Sequence, residues 1–195
     1  MGRRDGTELT SLKAPEFSGC VWKEYPGYVH EGRRYYVNEK NSRIATKPSD
    51  GDSTIIGNTP LLHNKVTSWS IKVLKSKNNN GNGIYIGAAP SDINQNKDNN
   101  YYKRGWYLYC RESTLYSGPP HNYDEKEYGP RKEYNGLYVH TGDSVGVVVD
   151  TTKGELSFVL GGVNFGVAYD GIPLDKPLVP CVLLEKKGDS VELII

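Results

Sequence analysis

The chain is short of the features that would place it in several large classes. It has one methionine, and no apolar run approaches the roughly 20 residues that a membrane-spanning helix requires. Long stretches with apolar residues at helical spacing are missing, which argues against a helical bundle and against alternating βαβ units. The N-terminal MGRRDGTELTSLKAPEF has no apolar centre of the kind a secretory signal carries. Cysteine is scarce: Cys20, Cys110 and Cys181 are far apart, odd in number and outside any C-x-x-C, so they read as buried free thiols in a reducing, cytoplasmic setting. Charge of either sign is not in excess, with 24 basic and 23 acidic residues and a net charge of +1. That balance gives no footprint for a nucleic acid or an anionic membrane. His30, His63, His121 and His140 stand singly and match no zinc spacing.

What the sequence does have is tyrosine and glycine, 15 and 22 residues, in a pattern of period two. In TSWSIKVLK, Trp69, Ile71 and Val73 alternate with Ser68, Ser70 and Lys72, which predicts a half-buried strand. SVGVVVD places Val145, Val147 and Val149 on one face. ELSFVLGGVNFGVAY, residues 155–169, predicts a hairpin whose turn is Gly161-Gly162, because glycine tolerates the positive φ of type I′ and II′ turns. That turn sets the register, pairing Leu160 with Val163, Phe158 with Phe165 and Leu156 with Val167, six apolar residues on one face. Further strands are expected near 20–25, 34–37, 53–56, 84–88, 106–110, 178–184 and 191–195. Many strands without helices predict an all-β fold, an antiparallel sandwich or barrel with function on its loops. Two of those loops are long and polar: SKNNNGNG at 76–83, read as a hairpin tip, and PSDINQNKDNNYYKR at 90–104. A third segment, 117–136, carries Pro119-Pro120-His121-Asn122-Tyr123.

Two motifs imitate chemistry. GDSVG at 142–146 fits G-x-S-x-G, but a nucleophile elbow has its serine where a strand ends and a helix begins. Here the loop precedes Ser144 and a strand follows it. The same tripeptide occurs at Gly51-Asp52-Ser53 and Gly188-Asp189-Ser190, each before an apolar run, so Gly-Asp-Ser reads as the last turn before a strand. Asp92-x-Asn94-x-Asn96-x-Asp98 begins like a calcium loop, yet Lys97 and Lys103 occupy the positions where such loops need Gly and Glu. No catalytic set, cofactor site or metal site is predicted.

From Trp69 onward the chain resembles a SPRY domain, the module shared by tripartite-motif ligases, SOCS-box substrate receptors and ryanodine receptors. The matching strings are TSWSIKV, IYIGAA, RGWYLY, GDSVGVVVDTTKGELSFVLGGVNFGVAYDGIP and PLVPCVLL. The last two carry the family pattern in order: Gly142-Asp143, Asp150, Gly154, Gly161-Gly162, Gly166-Val167-Ala168-Tyr169 and Pro180. VWKEY and YYVNEKNSRIATK resemble the PRY portion that precedes it. The resemblance implies a bent antiparallel β-sandwich of concanavalin-like jelly-roll type, with a tail at 1–17, a PRY-like portion at 18–66 and the SPRY core at 67–195. It also implies a non-catalytic module that binds a protein or short linear peptide, with substrate recognition for a ubiquitin ligase as one setting.

SOCS-box receptors hold an extended peptide between three loops, which by position map onto Thr46-Lys47-Pro48, Tyr101-Tyr102-Lys103 and Leu184-Glu185-Lys186. The first of those loops carries an arginine in that subfamily and the last a tryptophan, so their Asn-rich peptide preference is not carried over. Trp69, Trp106 and Trp22 read as core, and Gly142, Asp143 and Asp150 as structural. Other classes stay open at this point. A phosphorylated metabolite could meet Lys103, Arg104, Arg111, Arg131 and Lys132. Carbohydrate binding follows from sandwich analogy, and RNA could stack on Tyr101, Tyr102 and Tyr123, though the near-neutral charge argues against a polyanion.

Overall fold

A computed structural model describes residues 17–24, 34–93, 95, 104–117, 132–134 and 136–195. Their strands form two antiparallel sheets. The first contains, in spatial order, β1 (Tyr36–Val37), β2 (Ile44–Thr46), β13 (Ser190–Ile194), β4 (Val66–Lys75), β9 (Ser144–Asp150), β10 (Glu155–Leu160) and β11 (Val163–Tyr169). The second runs β3 (Ser53–Ile56), β12 (Leu178–Leu184), β5 (Ile84–Pro90), β6 (Trp106–Tyr109), β7 (Thr114–Ser117) and β8 (Lys132–Glu133). The expected sandwich is therefore present, and strands from before residue 66 interleave with those after it: β2 lies against β13, and β3 against β12.

Alternation explains the core. Trp69, Ile71 and Val73 point inward from β4 and Val145, Val147 and Val149 from β9, where they meet Ile84, Ile86, Leu108, Val182 and Leu184 of the opposite sheet. Trp22, Trp69 and Trp106 are all core, and the three cysteines are free and buried. Phe17, placed at the end of the tail by the sequence, is buried beside Trp69 at 5.9 Å between ring centroids. The second sheet is buried on its other face too. There Tyr85, Tyr107, Tyr109 and Tyr116 join Ile56, Val179, Cys181 and Leu183 in a separate cluster. Half-buried strands need only one apolar face; these strands carry two, which is where much of the tyrosine resides.

The loop at 76–83 does not cap a hairpin. It crosses from β4 in the first sheet to β5 in the second, and its bridge between Lys77 and Asn82 is internal. Of the segment expected as a strand at 20–25, the described residues 20–24 contribute an isolated bridge, Trp22 to Gly57.

All three Gly-Asp-Ser tripeptides enter strands β3, β9 and β13, with Gly51, Gly142 and Gly188 at φ of 115°, 98° and 90°. Asp143 accepts from the His140 amide at 2.8 Å and Asp189 from the Lys186 amide at 3.0 Å, the same contact three residues back. Ser144 is the exposed first residue of β9, and a strand, not a helix, follows it.

The 155–169 hairpin keeps its turn but not its register. Leu160 faces Val163, but Ser157 faces Val167 and Leu156 faces Tyr169, so β11 carries two extra residues. Val167 is consequently exposed, as is Val163 beside the turn, while Ala168 and Tyr169 are buried. Gly166, at φ 90°, permits the bulge. Tyr134 fits into it: its hydroxyl donates to the Gly166 carbonyl at 2.6 Å and accepts the Phe158 amide at 3.4 Å. Tyr134→Phe keeps the ring contact with Phe158 and strands both backbone groups. It is expected to cost about 1–3 kcal/mol, seen as a Tm drop of roughly 2–4 °C per kcal/mol. Ser144→Ala should change stability by less than about 0.5 kcal/mol, and a fluorophosphonate probe should leave Ser144 unlabelled in the wild type.

Candidate functional site

The first and third predicted loops meet at one end of the sandwich. The β2–β3 loop contains Lys47 to Asp52, and the β12–β13 turn contains Glu185 to Asp189. Lys47 and Gly188 tie them from below, with the Lys47 amide on the Asp189 carbonyl and the Gly188 amide on the Lys47 carbonyl, both at 2.8 Å. Above, the Gly51 amide donates to the Glu185 carbonyl at 2.8 Å, and the Lys187 amide to Asp50 Oδ1 at 2.9 Å. The β4–β5 loop closes the third side, since the Glu185 amide donates to the Gly83 carbonyl at 2.9 Å. The Asp189 carboxylate, wholly buried, joins all of this by taking the Lys77 amide on Oδ1 and the Lys186 amide on Oδ2. Burial raises its pKa, and those two amides act against the rise.

Of the nine residues expected to contact a partner, the structure brings six to this join. Thr46 is half-buried with its hydroxyl 2.9 Å from that of Ser190, and Pro48, Glu185 and Lys186 are half-buried at the surface. Lys47 and Leu184 are corrections: both are fully buried, so neither side chain is presented to a partner. Lys47 turns inward and donates to the Arg34 carbonyl at 3.1 Å, and Leu184 points into the main core as the last inward residue of β12. Tyr101, Tyr102 and Lys103 lie outside the described residues, as do Arg131, Tyr123 and the side chain of Lys132.

Residues that the sequence did not assign to a peptide-binding loop complete the rim. Asp50 and Asp52 are exposed, and the Glu185 carboxyl is pushed up by burial and by Asp52. Glu185 is hydrogen bonded to Tyr85, whose ring stacks on Tyr109 at 4.5 Å, with Tyr116 edge-on to both. Arg111 reaches Asn82 Oδ1 at 3.4 Å beside them. The third Gly-Asp-Ser was the available signal for Asp189. Nothing in the sequence marks Tyr85.

The cation set for a phosphorylated metabolite does not converge where it can be described. Arg104 precedes β6 and Arg111 follows it, so a strand of roughly 13 Å separates them. In the would-be calcium loop, Asp92 is held by Lys176 at 2.7 Å. A shallow groove of about 390 Å³ lies elsewhere, at the sandwich edge between residues 21–24 and β1, lined by Trp22, Val37, Asn38, Ser42 and Asn58 among others.

Lys47 makes the join pH-sensitive. Burial lowers its pKa to about 8 from the usual 10.5, with Asp52, Asp50 and Asp189 acting in the opposite sense. A base whose pKa falls on folding is held protonated more weakly in the folded chain than in the unfolded one. Between those two values the unfolded state binds more protons, so raising the pH through that window favours the fold; below it the contribution is constant. Urea denaturation of wild type and Lys47→Met is expected to show the difference moving in the wild type's favour by about 1–3 kcal/mol between about pH 7.5 and about pH 9.5. A difference independent of pH would contradict the buried ammonium.

A family model described as the SPRY domain matches residues 66–195. Among solved structures, the SPRY domain of human HERC1 superposes with a TM-score of 0.65 at 18% identity, covering 82% of this chain and 91% of that one. A human SPRY domain gives 0.62 at 14% identity, with 82% and 94% covered. The TRIM65 PSpry domain gives 0.57 at 12% identity, with 90% and 92% covered. Identities this low speak to the fold alone. No curated protein matches the sequence significantly. SPRY domains are in general non-catalytic protein-interaction modules. By the match over most of its length, and by a sandwich of the same build, this chain belongs to the SPRY domain family.

Proposed function

We propose that the chain is a recognition module that holds a short extended peptide, or an extended segment of a folded protein, across the join of the β2–β3 loop, the β4–β5 loop and the β12–β13 turn. The observation that supports this is the fixing of those loops to one another by backbone hydrogen bonds and by the buried Asp189. A rim ordered before binding loses little entropy when a partner arrives. Its exposed groups are polar and of both signs: Asp50, Asp52 and Lys187, with Glu185 and Lys186 half-exposed. Such a rim favours a partner with polar and charged side chains over an apolar one. Tyr101, Tyr102 and Lys103, the second of the loops expected from the sequence, belong to the same proposal, and a role as the substrate-recognition arm of a ubiquitin ligase in the cytoplasm is its most specific form.

Affinity capture from cells, with the isolated chain as bait, tests it. Lys186→Glu/Lys187→Glu and Tyr101→Ala/Tyr102→Ala are expected to lose the partners that wild type retains, while Arg104→Glu, placed before β6, keeps them. Circular dichroism checks that each variant is folded. Partner sets that are indistinguishable across all four proteins would exclude this end of the sandwich. Sensitivity only at Arg104, with capture abolished by competing RNA, would favour the nucleic-acid alternative.

A further inference from the structure

Asparagine followed by glycine is the sequence most prone to spontaneous deamidation, because the unhindered glycine amide can attack the asparagine side chain. The β4–β5 loop contains two such pairs side by side, Asn80-Gly81 and Asn82-Gly83. The structure treats them differently. The Gly81 amide donates to Ser76 Oγ at 3.1 Å, and Gly81 is buried so tightly that a Cβ there would meet Cys110 and the Val139 carbonyl at 2.7 Å. Ser76 is itself buried and bonded to Thr141. This pair is built into the core end of the loop.

The second pair sits at the rim and is held by one group. The Tyr109 hydroxyl donates to Asn82 Oδ1 at 3.0 Å and lies beside the backbone of Gly83. One phenol thus stands against both the electrophile and the residue that supplies the nucleophile. While it does so, the side-chain carbonyl is fixed by that oxygen, and Gly83 is itself buried, away from solvent base. Arg111, also on Asn82 Oδ1, and the half-buried position of Asn82 add to the restraint.

We propose that Asn82 is a gated deamidation site, closed by the Tyr109 hydroxyl and reactive only when that contact opens. In the open form a solvent base removes the Gly83 amide proton, and the nitrogen attacks Cγ of Asn82. The new N–Cγ bond forms as the Cγ–Nδ2 bond breaks, and ammonia leaves with a proton taken from water. Water then opens the resulting succinimide at either carbonyl, giving aspartate or isoaspartate. Either product adds a negative charge beside Glu185, whose side chain lies against Gly83. Isoaspartate also lengthens the backbone within the Lys77–Asn82 bridge. The conversion is a one-way change of the rim. Its chemistry does not depend on what the rim binds.

Site-resolved peptide mapping by mass spectrometry, during incubation in mildly alkaline buffer, tests this. Compared are the folded wild type, the same protein in concentrated urea, and folded Tyr109→Phe. In the folded wild type both Asn82 and Asn80 are expected to react more slowly than in urea. Loss of the hydroxyl in Tyr109→Phe, which keeps the ring stacked on Tyr85, should speed Asn82 by roughly 2–10-fold per hydrogen bond removed, with Asn80 unchanged. Equal rates at Asn82 in folded and urea-unfolded wild type would overturn the proposal without recourse to any variant. So would a folded Tyr109→Phe in which Asn82 reacts no faster, or more slowly, since a slower reaction would make Tyr109 a helper of the chemistry. An acceleration at Asn80 equal to that at Asn82 would point to loosening of the whole loop and equally refute a specific latch.

Discussion

The Asp189 carboxylate is the interaction on which the candidate site depends. It is a charged group with no exposed surface, and an isolated buried carboxylate is costly enough that it survives only where its oxygens are satisfied. Two backbone amides satisfy them, one from the β4–β5 loop and one from the β12–β13 turn. Because both donors are main-chain groups, the carboxylate fixes backbone positions and not merely side chains. The carbonyl of the same residue accepts the Lys47 amide, and the Lys47 carbonyl accepts the amide of Gly188 beside it, which brings the β2–β3 loop into register. Three segments far apart in sequence thereby acquire one geometry. The buried ammonium of Lys47 nearby keeps the join from carrying only negative charge.

The second sheet extends the same constraint through the body of the domain. Its strands alternate between two buried faces, with aliphatics such as Ile84, Ile86, Leu108 and Leu184 toward the main core and tyrosines toward the other side. Tyrosine suits that outer face because its ring packs while its hydroxyl still finds a partner. Tyr107 meets Cys181, Tyr85 meets Glu185 and Tyr109 meets Asn82. Tyr169, arriving from the first sheet, donates to the carbonyls of both Tyr107 and Tyr116. The stacked Tyr85 and Tyr109 pair thus connects the sheet's outer face to the rim, and the rim residues Glu185 and Asn82 are positioned by rings whose other contacts are internal.

Much of this was legible in the residues, for reasons that can be traced. Period-two alternation found β4 and β9 because each buries one face over seven or more residues, the apolar run LVPCVLL marked β12, and Gly-Asp-Ser marked three strand entries because each needs a residue with positive φ before a polar turn. Strands β2, β7 and β8 escaped because they have two to four residues, too few for a period to register. The hairpin register failed for a different cause. Turn and pattern agreed on Leu160 with Val163, but a bulge is decided by what fills it, and Tyr134 comes from more than twenty residues upstream. Lys47 was misjudged in the same way. A lysine beside a proline reads as an exposed turn, and only the tertiary fold shows its ammonium turned in toward the Arg34 carbonyl.

The three Gly-Asp-Ser turns suggest how such a scaffold separates stability from recognition. In the β9 turn, Asp143 caps the His140 amide, with that residue's own ring nitrogen 3.7 Å away, and among the described residues no amide from a distant loop joins them. In the β13 turn the same local contact, Asp189 to the Lys186 amide, is supplemented by a second amide from a distant loop and by full burial. The local chemistry is identical, and the difference lies in what the fold delivers to the free carboxylate oxygen. Side chains on the solvent side of the join, such as Asp52 and Lys187, take no part in that network. They can therefore change without disturbing Asp189, and variation in binding preference at this rim is compatible with an unchanged sandwich beneath it.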